Sequence, residues 1–453
     1  MATLASRGIL GTFFHAPDRG AIEVLEDTLI LLDETGAITQ VFGPEDPGYR
    51  FELDRLDNEV LYLPEGTYGL PGFVDLHVHA PQYPQLGLAL DEPLEVWLHK
   101  YTFPLEARYA DLDFARQTYE TLVADLLATG TTTALYFATV HREATQVLAD
   151  ICIEKGQRAL VGKVVMDDPA ACPDYYRDAT TEAALADTRA VIEYIKGHTQ
   201  NAQGRVLPVV TPRFIASCTD EGLAGLGKIA AETGCHVQTH CSESDWAHGH
   251  VLARYGHTDA EALDRFGLVT RRSVLAHSNF LTDADMDRLV ARGAAVAHCA
   301  LSNAYFANSV FPLRQALEKQ LHVGLGTDIS GGPSASMFEA CRMTVAASRM
   351  LEDGVDAALP AAKRGRPDSR IDLVTAFHLA TAGGGIALDL PIGRFAPGYR
   401  FDAVAIDSTA PQGGIRLFGE TQPQAIFEKL LYGATRANVA AVWVDGEQVV
   451  GSP

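Results

Sequence analysis

His77 and His79 stand one residue apart at the end of the apolar run Tyr68-Gly-Leu-Pro-Gly-Phe-Val-Asp75. Side chains two positions apart on a strand share a face, so both imidazoles can reach one metal ion. The pair alone does not make a site. Three further residues each close a short apolar, β-branched run: His240 after His-Val-Gln-Thr, His277 after Ser-Val-Leu-Ala, and Asp328 after Val-Gly-Leu-Gly-Thr. Imidazoles and a carboxylate without cysteine suit zinc or a similar first-row dication, and an open position would hold water with its pKa lowered to about 7. Glu243 follows three residues after His240 in His240-Cys-Ser-Glu243, where a carboxylate can serve as general acid and base beside that water. A glutamate at a helix start also answers the helix dipole, and the company of the ligand set is what favours chemistry here. Lys163, in Leu160-Val-Gly-Lys-Val-Val165, reads as a structural residue, because the set already closes around one ion.

Ligands delivered from the ends of several strands need a fold that gathers strand ends, as a (β/α)8 TIM barrel does at its C-terminal face. From about residue 70 to 385, strand-like runs alternate with helical stretches, and eight strand ends fall near His79, Val140, Met166, Phe214, His240, His277, Asn303 and Asp328. Amphipathic segments such as Ala115 to Leu127, Glu182 to Ile195 and Asp283 to Arg292 repeat apolar residues at three and four and form the outer helices. The two ends of the chain read differently. Ile22-Glu-Val24, Thr28 to Leu32, Phe401 to Ile406 and Ala441 to Gly446 are short strands between turns, so both termini are expected to build one small β-sandwich domain. The expected organisation is residues 1–68 and 386–453 in that domain and 69–385 in an α/β barrel, with 352–370 a solvated excursion.

At 453 residues and 47% hydrophobic, the chain can bury a large core. A net charge of −22 repels phosphates and argues against nucleic-acid or anionic-membrane partners, leaving a small molecule as the expected one. Seven cysteines, with no CxxC spacing, argue against a disulfide framework and imply a reducing, cytoplasmic setting. Met1 to Pro17 lacks the basic start and apolar stretch of an export signal, and no run of about 18 apolar residues occurs.

The ligand pattern resembles the amidohydrolase superfamily. Pro71-Gly-Phe-Val-Asp-Leu-His-Val-His-Ala-Pro-Gln-Tyr83, Trp97-Leu-His-Lys-Tyr-Thr-Phe-Pro104, Gly130 to His141, Thr211-Pro-Arg-Phe214 and Gly324-Leu-Gly-Thr-Asp-Ile-Ser-Gly-Gly332 resemble its guanine-deaminating branch. The resemblance implies one zinc ion per chain held by His77, His79, His240 and Asp328, with His277 beside the water and Glu243 as proton shuttle. It implies that Gln82, Arg213 and Phe214 hold a purine and that Trp97 lines the pocket or packs its loop. It further implies conversion of guanine to xanthine and ammonia within purine catabolism or salvage, and a homodimer. Guanine's O6 and N7 acceptors match an arginine fork, whereas adenine's 6-amino group does not.

Two segments depart from the family pattern. Ala300 stands where proline is usual, in His298-Cys-Ala-Leu-Ser-Asn303, which continues Ala304-Tyr-Phe-Ala-Asn308, and Ser244-Asp-Trp-Ala-His-Gly-His250 is unlike the usual continuation, with His248 and His250 read as part of a solvated helix. Neither removes a ligand or the acid. The same metal site could serve 8-oxoguanine, a pterin or an s-triazine, because pocket walls select the ring. A catalytically dead scaffold is disfavoured by retention of every ligand and Glu243, and a cytidine-deaminase fold by the lack of any Pro-Cys-x-x-Cys.

Overall fold

The computed structural model describes residues 7–307 and 309–451. The first few residues of the segment read for an export signal therefore lie outside the described residues. Eight parallel strands run in the order of the chain around a barrel: Phe73–His79, Thr131–Phe137, a third interrupted at Lys163 (Arg158–Gly162 and Val164–Val165), Val206–Pro212, His236–Cys241, Ser273–His277, Ala295–His298 and His322–Leu325. The first and last strands meet beyond the last strand's regular part. Asp328 N–H donates to the His77 carbonyl at 2.8 Å and His79 N–H to the Ile329 carbonyl at 2.9 Å. The barrel is thus closed by the residues that carry the chemistry.

Each strand is buried along almost its whole length because the barrel interior covers one face and the helical ring the other. The helices include Leu112–Ala128, Arg142–Glu154, Thr181–Gly197, Asp220–Thr233, Asp283–Arg292 and Met337–Asp353. Side-chain caps start several of them: Asp111 accepts from Asp113 N at 3.0 Å and Phe114 N at 3.3 Å, and Thr282 with Asp285 forms a reciprocal capping box. Phe73, at the base of the first strand, packs edge-on against Phe338 of the Met337–Asp353 helix, ring centroids 4.7 Å apart.

Strands from both termini form a second, mostly antiparallel sheet, in which Ala403–Asp407 pairs with Thr67–Pro71 from the N-terminal part. Ala37 and Arg400 bridge its far reaches around a core of Ile9, Phe13, Ile30, Phe395, Phe401 and Trp443. This sheet is fastened to the barrel by a buried ion network. Arg158 of the third strand holds Asp402 at 2.9 Å and Asp445 at 2.5 Å, and Arg205 and Arg400 reach Asp445 at 2.9 and 2.5 Å.

Three local expectations differ. The second strand ends at Phe137 rather than near Val140, because Thr139 Oγ1 accepts from His141 N–H and turns the chain into the next helix. The seventh ends at His298 rather than near Asn303, since Cys299 to Ala307, with no β-branched residue, winds helically, and Asn303 N–H donates to the Cys299 carbonyl. The long segment after the first strand is helical from Leu94 to Ala110, with one wide turn at Leu98–Thr102. Its buried Leu94, Trp97, Leu98 and Thr102 follow helical spacing and fold it over the barrel mouth.

Candidate active site

His77 and His79 reach the barrel interior because a bulge between Asp75 and Val78 shifts the first strand against the second. Val78, between them, packs outward against the helices. His277 and Asp328 sit in left-handed backbone conformations, φ 65° and 53°, as does Ser242 at φ 39°. Such conformations cost of order 1–3 kcal/mol each and persist only where surroundings enforce them. Here they bend three strand ends inward.

The result is a tight cluster. His77 Nε2 lies 3.1 Å from Asp328 Oδ1, His79 Nε2 lies 3.6 Å from the same oxygen, and His79 Nε2 and His240 Nε2 are 2.9 Å apart. His277 Nε2 is 3.8 Å from both Glu243 Oε1 and Asp328 Oδ2. His240 Nδ1–H donates to the Arg213 carbonyl at 2.5 Å, which leaves its Nε2 as a lone pair facing the cluster. His277 Nδ1 donates to Asn303 Oδ1 at 3.0 Å with the same effect, and Asn279 ties Asn303 to the Glu243 carbonyl. Burial, foremost, pushes the imidazoles of His77, His79 and His240 below their ordinary pKa, so they are neutral. Burial, the largest single influence, would raise the Asp328 carboxyl, but His77, His277 and Ser302 together outweigh it and hold it below the usual carboxylate range.

These residues fit a divalent cation. The Nε2 atoms of His77 and His277 are buried without any hydrogen-bond partner, neutral imidazoles are the ligand form, and an ionised carboxylate completes the donor set. Lys163 is elsewhere: its ammonium pairs with Asp178 at 2.5 Å and with the Val164 carbonyl at 3.1 Å. Glu243 is raised by burial, with the negative Asp328 adding to the rise and His277 opposing it. That direction favours the protonated form and suits a group that passes protons beside the cluster.

Above the cluster lies a narrow cleft, open to solvent, whose walls include Gln82, Trp97, Arg213, Phe214, Glu243 and Phe306. Phe214 faces Trp246 with ring centroids 6.0 Å apart, and Trp97 faces Phe306 at 5.1 Å, so apolar ring faces bound the cleft. Trp97 also anchors its own segment by donating from Nε1 to the Leu88 carbonyl at 3.0 Å. Arg213, 2% exposed, is charged in spite of burial because Glu106 receives it at 2.5 and 3.1 Å.

The sequence reading passed over Glu106, Trp246 and Phe306. Glu106 lay two residues past the quoted Trp97-to-Pro104 segment, and Trp246 and Phe306 lay inside the two departing segments. His248 differs from expectation as well. Though half-buried on a helix with exposed neighbours, it pairs through Nδ1 with Asp259 at 2.6 Å and stacks on Phe280. Asp259 also accepts from Ser242 N–H at 2.9 Å, so this pair steadies the turn that carries Glu243.

A family model described as the amidohydrolase family matches residues 68–449. A guanine deaminase of Mus musculus is 36% identical over 459 residues, covering 97% of this chain and 96% of that one. The solved guanine deaminase of C. acetobutylicum, with bound guanine in its active site, superposes with a TM-score of 0.86 at 29% identity over 98% of this chain and 100% of that one. An adenosine deaminase from Xanthomonas campestris with bound zinc, at 24% identity and a TM-score of 0.81, covers 98% of this chain and 92% of that one and shares the fold.

Proposed function

The chain belongs to the amidohydrolase family and is a hydrolase acting on C–N bonds; from that premise we propose that it deaminates guanine to xanthine and ammonia, using one zinc ion held by His77, His79, His240 and Asp328. The observation that carries the ring assignment is Arg213, a buried guanidinium pinned at the cleft wall within reach of a ring stacked on Phe214. The zinc would supply Lewis acidity and lower the pKa of water in its open position.

The chain's own groups do the rest. Asp328, ionised at neutral pH, is placed to accept a proton from the attacking water. Glu243, its pKa raised by burial, gives a proton to ring N3 as oxygen bonds to C2. Glu243, now a carboxylate, takes the remaining proton of the added water and passes it to the amino nitrogen, the C2–N bond breaks as the C2 carbonyl forms, ammonia leaves, and the proton held by Asp328 returns to Glu243. His277, with Nδ1 donating to Asn303, aims the Nε2 lone pair at the attacking water and orients it by accepting one of its hydrogens. Phe214 and Trp246 hold the ring plane, and Arg213 meets O6 and N7.

No helix among the described residues is long and apolar enough to cross a membrane. We place the protein in the cytoplasm, in purine catabolism or salvage, as a homodimer, a state that sedimentation equilibrium reads directly. Ammonia release by the zinc-loaded protein, measured over guanine, 8-oxoguanine, isoxanthopterin, adenine and melamine, tests the substrate. Guanine should be fastest by a wide margin; a faster pterin or triazine would keep the metal chemistry and discard the ring assignment.

A further inference from the structure

Glu106 lies wholly buried on the Phe103–Ala107 helix and serves three donors at once. Arg213 Nη1 donates to its Oε2 at 2.5 Å, Arg213 Nη2 to its Oε1 at 3.1 Å, and Gln82 Nε2 to the same Oε1 at 3.0 Å. A carboxylate in this ion pair only accepts, so it imposes one polarity on both neighbours. The Gln82 amide must turn its nitrogen toward Glu106 and its oxygen away. That oxygen accepts from Ser330 N–H at 3.2 Å and keeps a second lone pair on a side chain that lines the cleft. The end of the Arg213 fork is likewise spent on Glu106. Its Nε and the second Nη2 hydrogen have no partner among the described residues, although the side chain lines the same cleft.

We propose that Glu106 is a positioning residue that makes the site selective for 6-oxopurines, an inference that rests on the guanine reading above. With Glu106 in place the cleft offers a donor edge from Arg213, complementary to O6 and N7, and an acceptor from Gln82, complementary to N1–H. A 6-aminopurine presents the reverse pattern, an amino donor against Arg213 and a bare N1 against the Gln82 oxygen. Turning the Gln82 amide over would accommodate it. Glu106 forbids that turn, because two oxygens would then face one another in a buried site.

The test compares guanine with 2,6-diaminopurine in the zinc-loaded enzyme. Both rings carry the reacting amino group at C2, and they differ only in the pattern that Glu106 is argued to read. Glu106→Gln offers a donor and an acceptor and so lifts the oxygen–oxygen clash, leaving the longer Ser330 N–H contact at 3.2 Å to oppose the turn of Gln82. The ratio of kcat/KM for guanine over that for diaminopurine should fall by about tenfold or more. The loss should sit mainly in the guanine KM, with kcat and zinc content changed much less, while the melting temperature falls because Arg213 loses the charge that offsets its burial. Glu106→Asp, whose shorter carboxylate cannot hold both partners, should fall between wild type and Glu106→Gln, and it carries the test if the latter does not fold. Equal losses on both rings, or an unmoved ratio, would overturn the role of Glu106 while leaving guanine as the substrate. A folded, zinc-loaded wild type that turns over neither ring would overturn the guanine reading and this inference with it.

Discussion

At the scale of single residues, Glu243 and Arg213 separate chemistry from binding. Glu243 is not among the groups argued to hold the metal, and its raised pKa fits proton transfer. Glu243→Gln should lower kcat by roughly 10²–10⁴-fold with zinc content near that of wild type; metal analysis beside turnover reads both. Arg213→Ala should raise KM for guanine strongly. It should also destabilise the fold by about 3–5 kcal/mol, because the Glu106 carboxylate would be left buried without its partner; urea unfolding measures the cost. What the sequence showed at this scale were the residues whose meaning lies in local spacing. The His77–His79 pair, and His240, His277 and Asp328 at the ends of apolar runs, were legible because a strand end predicts where its last side chain points. Glu106 was not legible. Its role exists only through a contact with Arg213, 107 positions away, and a glutamate on a short helix carries no mark of such a contact.

At the scale of elements, the strands were easier to read than the segments between them. Period and composition identify a buried parallel strand, but nothing local tells where the chain leaves the sheet, so the ends expected at Val140 and Asn303 overshot into turns set by Thr139 and by the helical winding after Cys299. The same limit hid the helix that carries Trp97, Phe103 and Glu106 over the barrel mouth. Outer helices are held by packing and by their caps. Asp111→Ala removes both cap bonds of the Leu112–Ala128 helix and should cost about 1 kcal/mol of stability while kcat stays unchanged, which denaturant unfolding and a steady-state assay would show. A large fall in kcat would mean that this helix is coupled to the first strand more tightly than its packing indicates.

At the scale of the whole molecule, a buried ion network joins the terminal sheet to the barrel beside an apolar core that both share. Burial would raise the Asp445 carboxyl, yet Arg158, Arg400 and Arg205 outweigh it and hold its pKa below the ordinary value. The sign of the linkage follows. A carboxyl with a depressed folded pKa contributes stability that is complete above its unfolded value, about pH 4, and lost as the pH falls through the folded one. Asp445→Asn should therefore reduce stability at pH 7 and flatten the dependence of melting temperature on pH below about 4. An undiminished acid slope would place the acid sensitivity in other carboxylates. Both chain ends were legible as β structure in the sequence, but their attachment through Arg158 was not, since it joins residues 244 and 287 positions apart.

The central claim is that this barrel adds water to C2 of guanine and expels the amino group. Zinc-loaded protein incubated with guanine in water enriched in the heavy oxygen isotope, followed by mass spectrometry of the product, tests it most directly. Xanthine carrying one heavy oxygen, with one ammonia released per ring, is the predicted result. Unchanged guanine under conditions where the metal is bound, or a product that keeps its C2 amino group, would contradict it.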